Sequence, residues 1–340
     1  MQFTSLKWMC VVLTSSLVGC SQITPLPEHQ VALSQTYPLQ TQGNYQVLSW
    51  DNYVNDQQLI NLVDLALVSN QDLKIASLRI HEAQAAYGIQ RAELFPNIGG
   101  NAGMERNHVP ADLSYVGREM TTSQYSVGLG MNQWELDLWG RIRSLNEAAL
   151  QQFFAVESNV QAVRNSLIQQ TVLSYLTLSE LDKRIYFAQR SVQNYEKSVR
   201  LFKRRYEVGA SSKVEYMQAK TMLSNGQALV TQLEKSRALT ANYLVQLVGQ
   251  PTSLHQTDLD QVTFKTGVLH TGLPSDLLLN RADIRASEAM LKSKHANINA
   301  ARAAFFPRIT LTGSLGTASA DLDGLFKSGS SVWSFAPSIS

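Results

Sequence analysis

Cys20 is the residue whose setting gives it the clearest chemical use. It follows Leu17-Val18-Gly19 at the end of a mainly apolar run, Trp8 to Leu17, which comes after a single early lysine, Lys7. A short apolar run that ends in small residues before a cysteine is typical of a bacterial lipoprotein signal peptide, in which the thiol receives a diacylglycerol group. We therefore predict cleavage before Cys20 and lipid attachment at its sulfur. An ordinary signal peptide with an incidental cysteine is the alternative.

The rest of this segment agrees with lipidation. The second cysteine of the chain, Cys10, lies inside the segment that cleavage would remove. A secreted protein without a second cysteine for a disulfide is readily explained if its one thiol carries lipid. Ser21 follows Cys20 where an aspartate could stand, which in bacterial lipoproteins implies release to the outer membrane.

The other reactive side chains are not spaced for catalysis or metal binding. Glu135 and Asp137 lie at a strand-to-helix corner, where capping or ion pairing is expected. Gly128-Leu129-Gly130 lacks the strand and helix of a nucleotide loop. The net charge of +2 indicates no nucleic-acid partner. The sequence predicts no enzyme, no cofactor and no metal. Six histidines without metal-ligand spacing agree with this: His29, His81, His108, His255, His270 and His295.

Residues 124–134 show the pattern that organises the chain. Apolar residues alternate there with small or polar ones, which predicts a strand with one face in lipid and one facing water. The predicted lipid-facing residues are Tyr125, Val127, Leu129 and Met131. The predicted lumen-facing residues are Ser126, Gly128, Gly130 and Asn132. The same period occurs in residues 97–106, and a polar loop joins the two strands into a hairpin.

A very long helix follows this hairpin. Residues 141–208 contain no Gly and no Pro, and would extend roughly 100 Å at 1.5 Å per residue. A heptad from Leu181 to Tyr206 predicts a coiled-coil seam. Gly209 is expected to end the helix, and Ser212 with Glu215 forms a capping box that begins the next one, residues 212–248. Residues 208–212 are therefore the tip of a helical hairpin. Shorter helices are predicted at 59–68 and 72–94.

The chain contains an internal duplication. Residues 283–309 align without gaps on residues 72–98 at an offset of 211, so that Phe306-Pro307 matches Phe95-Pro96. The second copy predicts a helix at 283–305 and strands at 308–317 and 332–340. By analogy, the last strand should lead into another long helix and hairpin, so the second repeat is unfinished at Ser340 and we interpret the chain as truncated.

The predicted domain organisation has four parts. Residues 1–19 form the signal peptide and residues 20–58 a lipidated, extended N-terminal tether. Residues 59–250 form the first repeat, and residues 251–340 an equatorial loop with the truncated second repeat. Up to four membrane strands per chain cannot close a barrel, because open strand edges in lipid leave unpaired N–H and C=O groups. Copies of the chain must therefore associate.

The chain resembles the outer-membrane channel component of tripartite efflux pumps, the TolC-like superfamily, in its lipidated branch. Five motifs carry the resemblance, which covers residues 17–340: Leu17–Cys20; the two Phe-Pro pairs; Trp134–Arg141 (WELDLWGR); Val208-Gly209 with Ser212; and Gly272–Leu278 (GLPSDLL). The last motif continues in that family as Arg-Pro-Asp. Here it reads Arg281-Ala282-Asp283, which leaves the helix start less rigidly fixed.

The resemblance implies an α+β membrane protein. Each subunit would give four strands to a trimeric twelve-stranded outer-membrane β-barrel that continues into a long periplasmic helical barrel. The implied partners are two further copies, a periplasmic adaptor that packs at Val208, Gly209, Ala210, Ser211 and Ser212, an inner-membrane pump of the proton-driven RND type, and outer-membrane lipid. The family's acidic gate positions fall beyond Ser340. We therefore expect this product alone not to form a working channel.

One alternative from another class stays open. A lipid-anchored periplasmic coiled-coil scaffold or adaptor would also contain the long helices, with the alternating segments as ordinary soluble hairpins. A membrane-inserted duct should stay with the outer membrane after Cys20→Ala, whereas a scaffold should become soluble. The sequence does not identify the cargo.

Overall fold

Five helices and four strands form the part of the chain that the computed structural model describes, residues 24–25, 50–254 and 275–340. The helices are α1 (Gln57–Ser69), α2 (Gln71–Ala92), α3 (Arg141–Glu207), α4 (Lys213–Val248) and α5 (Ala282–Ala303). The strands are β1 (Ile98–Val109), β2 (Met120–Glu135), β3 (Ile309–Ser319) and β4 (Ser331–Ile339). Short 3-10 turns occupy Trp50–Tyr53, Ser275–Asn280 and Leu322–Gly324.

The four strands form one antiparallel sheet in the order β1-β2-β3-β4. Each repeat supplies one hairpin, and β2 pairs with β3 where the two repeats meet. The sheet belongs to a compact unit whose described residues are 24–25, 81–157 and 285–340. The hairpins of the two sequence repeats thus form one continuous four-stranded sheet, in agreement with the predicted fold class.

A second unit, whose described residues are 50–80, 158–254 and 275–284, contains the helical hairpin. Its apolar core joins α1 to the middle of α3 and the end of α4 through Leu59, Val63, Tyr175, Leu178 and Leu244. The Tyr175 hydroxyl donates to Asp56 Oδ2 at 2.7 Å, and the buried Asn70 amide donates to the Leu247 carbonyl at 2.9 Å. These bonds satisfy polar groups at the edge of the core, where an unpaired one would be destabilising.

The predicted coiled-coil seam packs α3 against α4. Leu181 and Ile185 of α3 are buried against Leu233 of α4. Asp182, beside this seam, is an ion-pair acceptor for Arg237. Nearer the tip, a Cβ at Gly226 would meet the Tyr195 ring at 3.1 Å, so the glycine lets the two helices approach closely. The heptad predicted from the sequence therefore packs the two helices of one hairpin, α3 and α4, against each other.

The start of the helical unit corrects the expected tether. Residues 20–58 were predicted to be extended, but Trp50–Tyr53 form a 3-10 turn and Val54 is buried in the core. Asp56 accepts the Gln58 and Leu59 amides, so α1 begins at Gln57. Just before it, Trp50 and Val54 pack on the same apolar core as α1.

The first hairpin is longer than its alternation indicated. Strands were predicted at 97–106 and 124–134, but pairing continues through Asn107↔Thr122 and His108↔Thr121 to Val109↔Met120. The pairs Asn107↔Thr122 and His108↔Thr121 are polar on both faces, so period-two hydrophobicity disappears there while the backbone ladder continues to the apolar pair Val109↔Met120. The connecting loop is residues 110–119.

Several predicted features lie outside the described residues. These are the signal peptide, Cys20, most of the tether and most of the equatorial loop. Of the Gly272–Leu278 motif, the structure describes only the backbone from Ser275 and the side chain of Leu278.

Candidate functional site: a two-faced sheet, its corner and the hairpin tip

The strand register places the predicted lipid-facing residues on one face. Leu129 pairs with Gly100 on one side and with Leu315 on the other, and Leu315 pairs in turn with Trp333. Because partners in an antiparallel ladder point to the same side, apolar residues of all four strands share this face. Its polar members in β3 and β4 lie where β3 ends and β4 begins, and they are Thr317, Ser319 and Ser331.

The apolar face is open to its surroundings in the single chain. Leu129 is 58% exposed and Trp333 is 73% exposed. These exposed apolar side chains form a continuous band, whereas the exposed hydrophobic residues of an ordinary protein surface are scattered singly. Its large exposed members are Ile98, Met104, Val127, Leu129, Leu315, Trp333, Phe335 and Ile339.

The opposite face carries small and polar residues. Ser126 pairs with Gly103 and Ala318, and Gly130 pairs with Ser314, whose hydroxyl lies 2.7 Å from that of Ser334. Asn132, predicted to share this face, lies in a register shift between Met131 and Trp134, where the alternation is interrupted. Gln133, in the same bulge, has a positive φ of 47°.

Two glycines let the repeats meet closely on this face. Gly128 and Gly316 are register partners. A Cβ at Gly316 would lie 2.3 Å from the Val127 carbonyl oxygen and 2.6 Å from the Gly128 Cα. The β2–β3 contact therefore requires glycine at position 316.

The corner between β2 and α3 is fixed by Glu135. Its carboxylate accepts two hydrogen bonds from Arg141, at 2.8 and 2.7 Å, and two from Arg308, at 3.0 and 2.8 Å. The Glu135 side chain is only 10% exposed. One carboxylate thus ties the start of the long helix to the second repeat. The expectation that Glu135 pairs is confirmed, but sequence reasoning missed Arg308, whose repeat counterpart is Asn97.

Asp137 and Trp139 complete the corner. Asp137 accepts the amides of Ile142 and Arg143 at 3.0 and 2.8 Å, so it caps α3 in place of Gly140, which has no side chain and a φ of 80°. Trp139 donates from Nε1 to the Pro307 carbonyl at 2.9 Å and stacks on Phe306 at 5.0 Å. Trp139 therefore lies in the junction between the sheet and the long helix.

The hairpin tip has the chemistry expected from its sequence. Gly209 adopts a φ of 75°, and the Ala210 amide donates to the Arg205 carbonyl at 2.7 Å, which closes α3. Ser212 and Glu215 exchange both bonds of the capping box, at 3.2 and 3.0 Å. The Ser211 hydroxyl and the Ser212 amide hold the pKa of the Glu215 carboxyl below its ordinary value.

Apolar side chains project from this tip. Val208 is 79% exposed, and Val214 and Met217 on the first turns of α4 are also exposed. Val214 and Met217 line a shallow groove along α4, together with Lys213, Gln218, Thr221 and Met222. The rigid turn therefore presents an apolar surface that is available for packing.

None of the helices within residues 50–254 and 275–340 is both long and apolar enough to cross a membrane.

Comparison with known proteins decides the family. Residues 62–250 and 273–340 match the family described as outer membrane efflux protein. The chain belongs to that family. The resemblance read from the sequence is thereby confirmed, and family members are channel and efflux proteins of the outer membrane.

Relatives and solved structures agree with the family. The chain is 38% identical over 351 residues to the solvent efflux pump outer membrane protein SrpC of Pseudomonas putida, covering 100% of this chain and 74% of SrpC. A crystal structure of a membrane protein from Pseudomonas aeruginosa has a TM-score of 0.85 at 35% identity, covering 94% of this chain and 73% of that one. The open state of the MtrE outer membrane channel of Neisseria gonorrhoeae has a TM-score of 0.80 at 35% identity, covering 94% and 72%.

Proposed function

We propose that this chain is a subunit of an outer-membrane export duct, in which three copies close a twelve-stranded barrel. The observation that carries the proposal is the four-stranded sheet with one apolar and one small-polar face. A barrel in lipid needs an apolar exterior, and a water-filled interior suits Gly, Ser and Thr.

The two edge strands of the sheet indicate that several copies of the chain associate. Among the described residues, β1 and β4 each have a neighbouring strand on one side only. Unpaired backbone groups in lipid are destabilising by several kcal/mol each, so an open sheet is not viable there. Pairing β4 of one copy with β1 of the next satisfies both edges. The strands, at 9 to 16 residues, are long enough for the ~9–11 residues that a tilted membrane strand needs.

The helices give the duct its second part. The 67 residues of α3 extend roughly 100 Å, more than three times the ~30 Å of a bilayer core. They therefore project into the aqueous periplasm and form the wall of a tunnel. Solvents, drugs and similar small molecules would pass through without chemistry. SrpC is named as part of a solvent efflux pump, and this chain would serve a pump of that general kind.

The proposed partners follow from the two ends of the chain. A lipid on Cys20 would attach the N-terminus to the outer membrane. The apolar tip at Val208–Ser212, with Val214 and Met217, would receive the helical hairpin of a periplasmic adaptor, which links the duct to a proton-driven RND pump in the inner membrane. The exposed apolar sheet face does not favour the alternative of a soluble coiled-coil scaffold, because that face would then be open to water.

The test is assembly and conductance of a version extended to the full length of relatives such as SrpC, of which this chain covers 74%. We expect a particle with the mass of three copies in detergent, and ion conductance after reconstitution into planar bilayers. The Cys20→Ala variant should stay in the outer-membrane fraction, because the strands still hold it. A monomer that is released from membranes by high salt would refute the proposal.

A further inference from the structure

Thr24, in the N-terminal segment, is held on α5 by four polar contacts. The Thr24 carbonyl oxygen accepts from His295 Nε2 at 2.8 Å and from Asn299 Nδ2 at 3.2 Å. The Thr24 hydroxyl accepts from Arg302 Nη1 at 2.7 Å and donates to Asn299 Oδ1 at 3.0 Å. Both the main chain and the side chain of one residue are thus recognised by three side chains.

These three side chains form one stripe of α5. Positions 295, 299 and 302 are separated by four and three residues, the spacing that places side chains on the same helix face. Asn299 is only 5% exposed. Its amide uses a donor and an acceptor on the same residue, Thr24, and so satisfies a buried polar group that would otherwise be destabilising.

The first repeat does not contain this stripe. At the offset of 211, the matching positions in α2 are Gln84, Gly88 and Arg91. Gly88 has no side chain, and a Cβ there would meet no other atom within 4 Å. Of these three positions, only the arginine is the same in both helices. The other contacts to Thr24 therefore depend on His295 and Asn299, which replace Gln84 and Gly88 in the second repeat.

The stripe lies close in the chain to the start of β3. Arg302 precedes the first residue of β3, Ile309, by seven positions, and α5 ends at Ala303. Cys20 precedes Thr24 by four residues, which at full extension span about 13–14 Å. Wherever Thr24 is held, Cys20 must lie within that distance.

We propose that His295, Asn299 and Arg302 form a clasp that receives the N-terminal segment of the chain and determines where the lipid of Cys20 enters the bilayer. The clasp would keep the lipid within about 14 Å of Thr24, close to the end of α5 that leads into β3. This inference rests on the lipidation included in the proposed function, but the clasp itself is defined by contacts that do not involve the lipid.

A matched pair of cysteine variants tests the clasp in the full-length protein in membranes. We expect a short bifunctional thiol reagent to link Thr24→Cys to Asn299→Cys. The same reagent should not link Thr24→Cys to Gly88→Cys, the equivalent position in the first repeat. Absence of the first link, or equal yields of the two, would overturn the proposal.

A second variant measures how strongly the clasp holds. In the Thr24→Cys chain, which keeps the backbone carbonyl that His295 contacts, His295→Ala should raise the rate of maleimide labelling at position 24 several-fold, the equivalent of one hydrogen bond. Gln84→Ala, at the matching position of α2, should leave the rate unchanged. Equal labelling rates in the two variants would contradict a clasp at His295.

The lipid can be separated from the clasp by export of a Cys20→Ser chain behind an ordinary signal peptide. The link between positions 24 and 299 should form in this chain as well. A link that forms only in the lipidated chain would show that the lipid, rather than the stripe, holds the segment, and would overturn the proposal. The measurement does not depend on conductance, so failure of the proposed duct would be recognised separately.

Discussion

Single residues at the junction of the two repeats carry the most specific constraints. Glu135, Gly128 and Gly316 all lie where the first repeat meets the second, and each acts through backbone or charge rather than through an apolar core. A substitution at these positions changes how the hairpins join while leaving each hairpin's own pairs intact.

Gly316→Ala should destabilise the sheet. The added methyl would lie 2.3 Å from the Val127 carbonyl oxygen, and overpacking of this kind is destabilising by about 1–3 kcal/mol. Gly103→Ala is the matched control, since it lies on the same face and its Cβ would meet no atom within 4 Å. The temperature at which the folded form loses its electrophoretic mobility in detergent reports the difference. Equal shifts would show that close approach is not the constraint.

Glu135→Gln should weaken the corner. The change removes the negative charge shared by Arg141 and Arg308 at a site where the carboxylate is 10% exposed, so we expect a loss of about 1–3 kcal/mol. Glu119→Gln, whose side chain is 78% exposed, should have almost no effect. Denaturant unfolding in detergent measures both. A Glu135→Gln protein as stable as the Glu119→Gln protein would contradict the role given to this carboxylate.

At the scale of the elements, the sequence predicts most of the fold because the residue pattern of each helix and strand is visible within a short stretch of the chain. Strand alternation, the heptad, and the glycines at the ends of α3 and α4 lie within short windows. The extension of the first hairpin to Val109 and Met120 could not be predicted, because the preceding pairs Asn107↔Thr122 and His108↔Thr121 are polar on both faces while the ladder continues. The Arg308 contact could not be read either, since it joins residues 173 positions apart whose relation is set by the packed repeats.

The hairpin tip should respond to acid through Glu215. Its pKa is lowered by the Ser211 hydroxyl, so the capping interaction is fully present above the ordinary value of 4.5 and is lost as the pH falls through the lower folded value. Hydrogen exchange of the amides in the first turn of α4, corrected for intrinsic rates, should accelerate at low pH in the native chain. Glu215→Gln can still cap but does not titrate, and should show no such change.

The apolar tip should matter to the assembled pump and not to the barrel. Val214→Asp places a charge on the exposed start of α4, where an adaptor hairpin would pack. In a version extended to the full length of its relatives, we expect reduced cross-linking to the adaptor and reduced drug export, with normal amounts of protein in the outer membrane. Lys220→Asp, on an exposed position of the same helix outside the groove, is the control. Equal losses in the two variants would indicate a general effect of charge on the helix.

At the scale of the whole molecule, the two faces of the sheet decide its environment. Leu129→Arg on the apolar face should impair barrel assembly by about 2–4 kcal/mol near the bilayer midplane. Ser126→Arg on the small-polar face should be tolerated, since a charge there faces water. The amount of heat-resistant folded protein in the outer membrane measures both. Equal effects would mean that the faces are assigned wrongly.

The outer edges of the sheet, β1 and β4, are different strands, so a ring of copies must join them head to tail. One faulty β1 would then be enough to break a whole ring. In a cell that makes equal amounts of an intact and an edge-defective chain, only about one ring in eight would contain three sound subunits. Damaging alleles of this edge should therefore act dominantly over a functional copy.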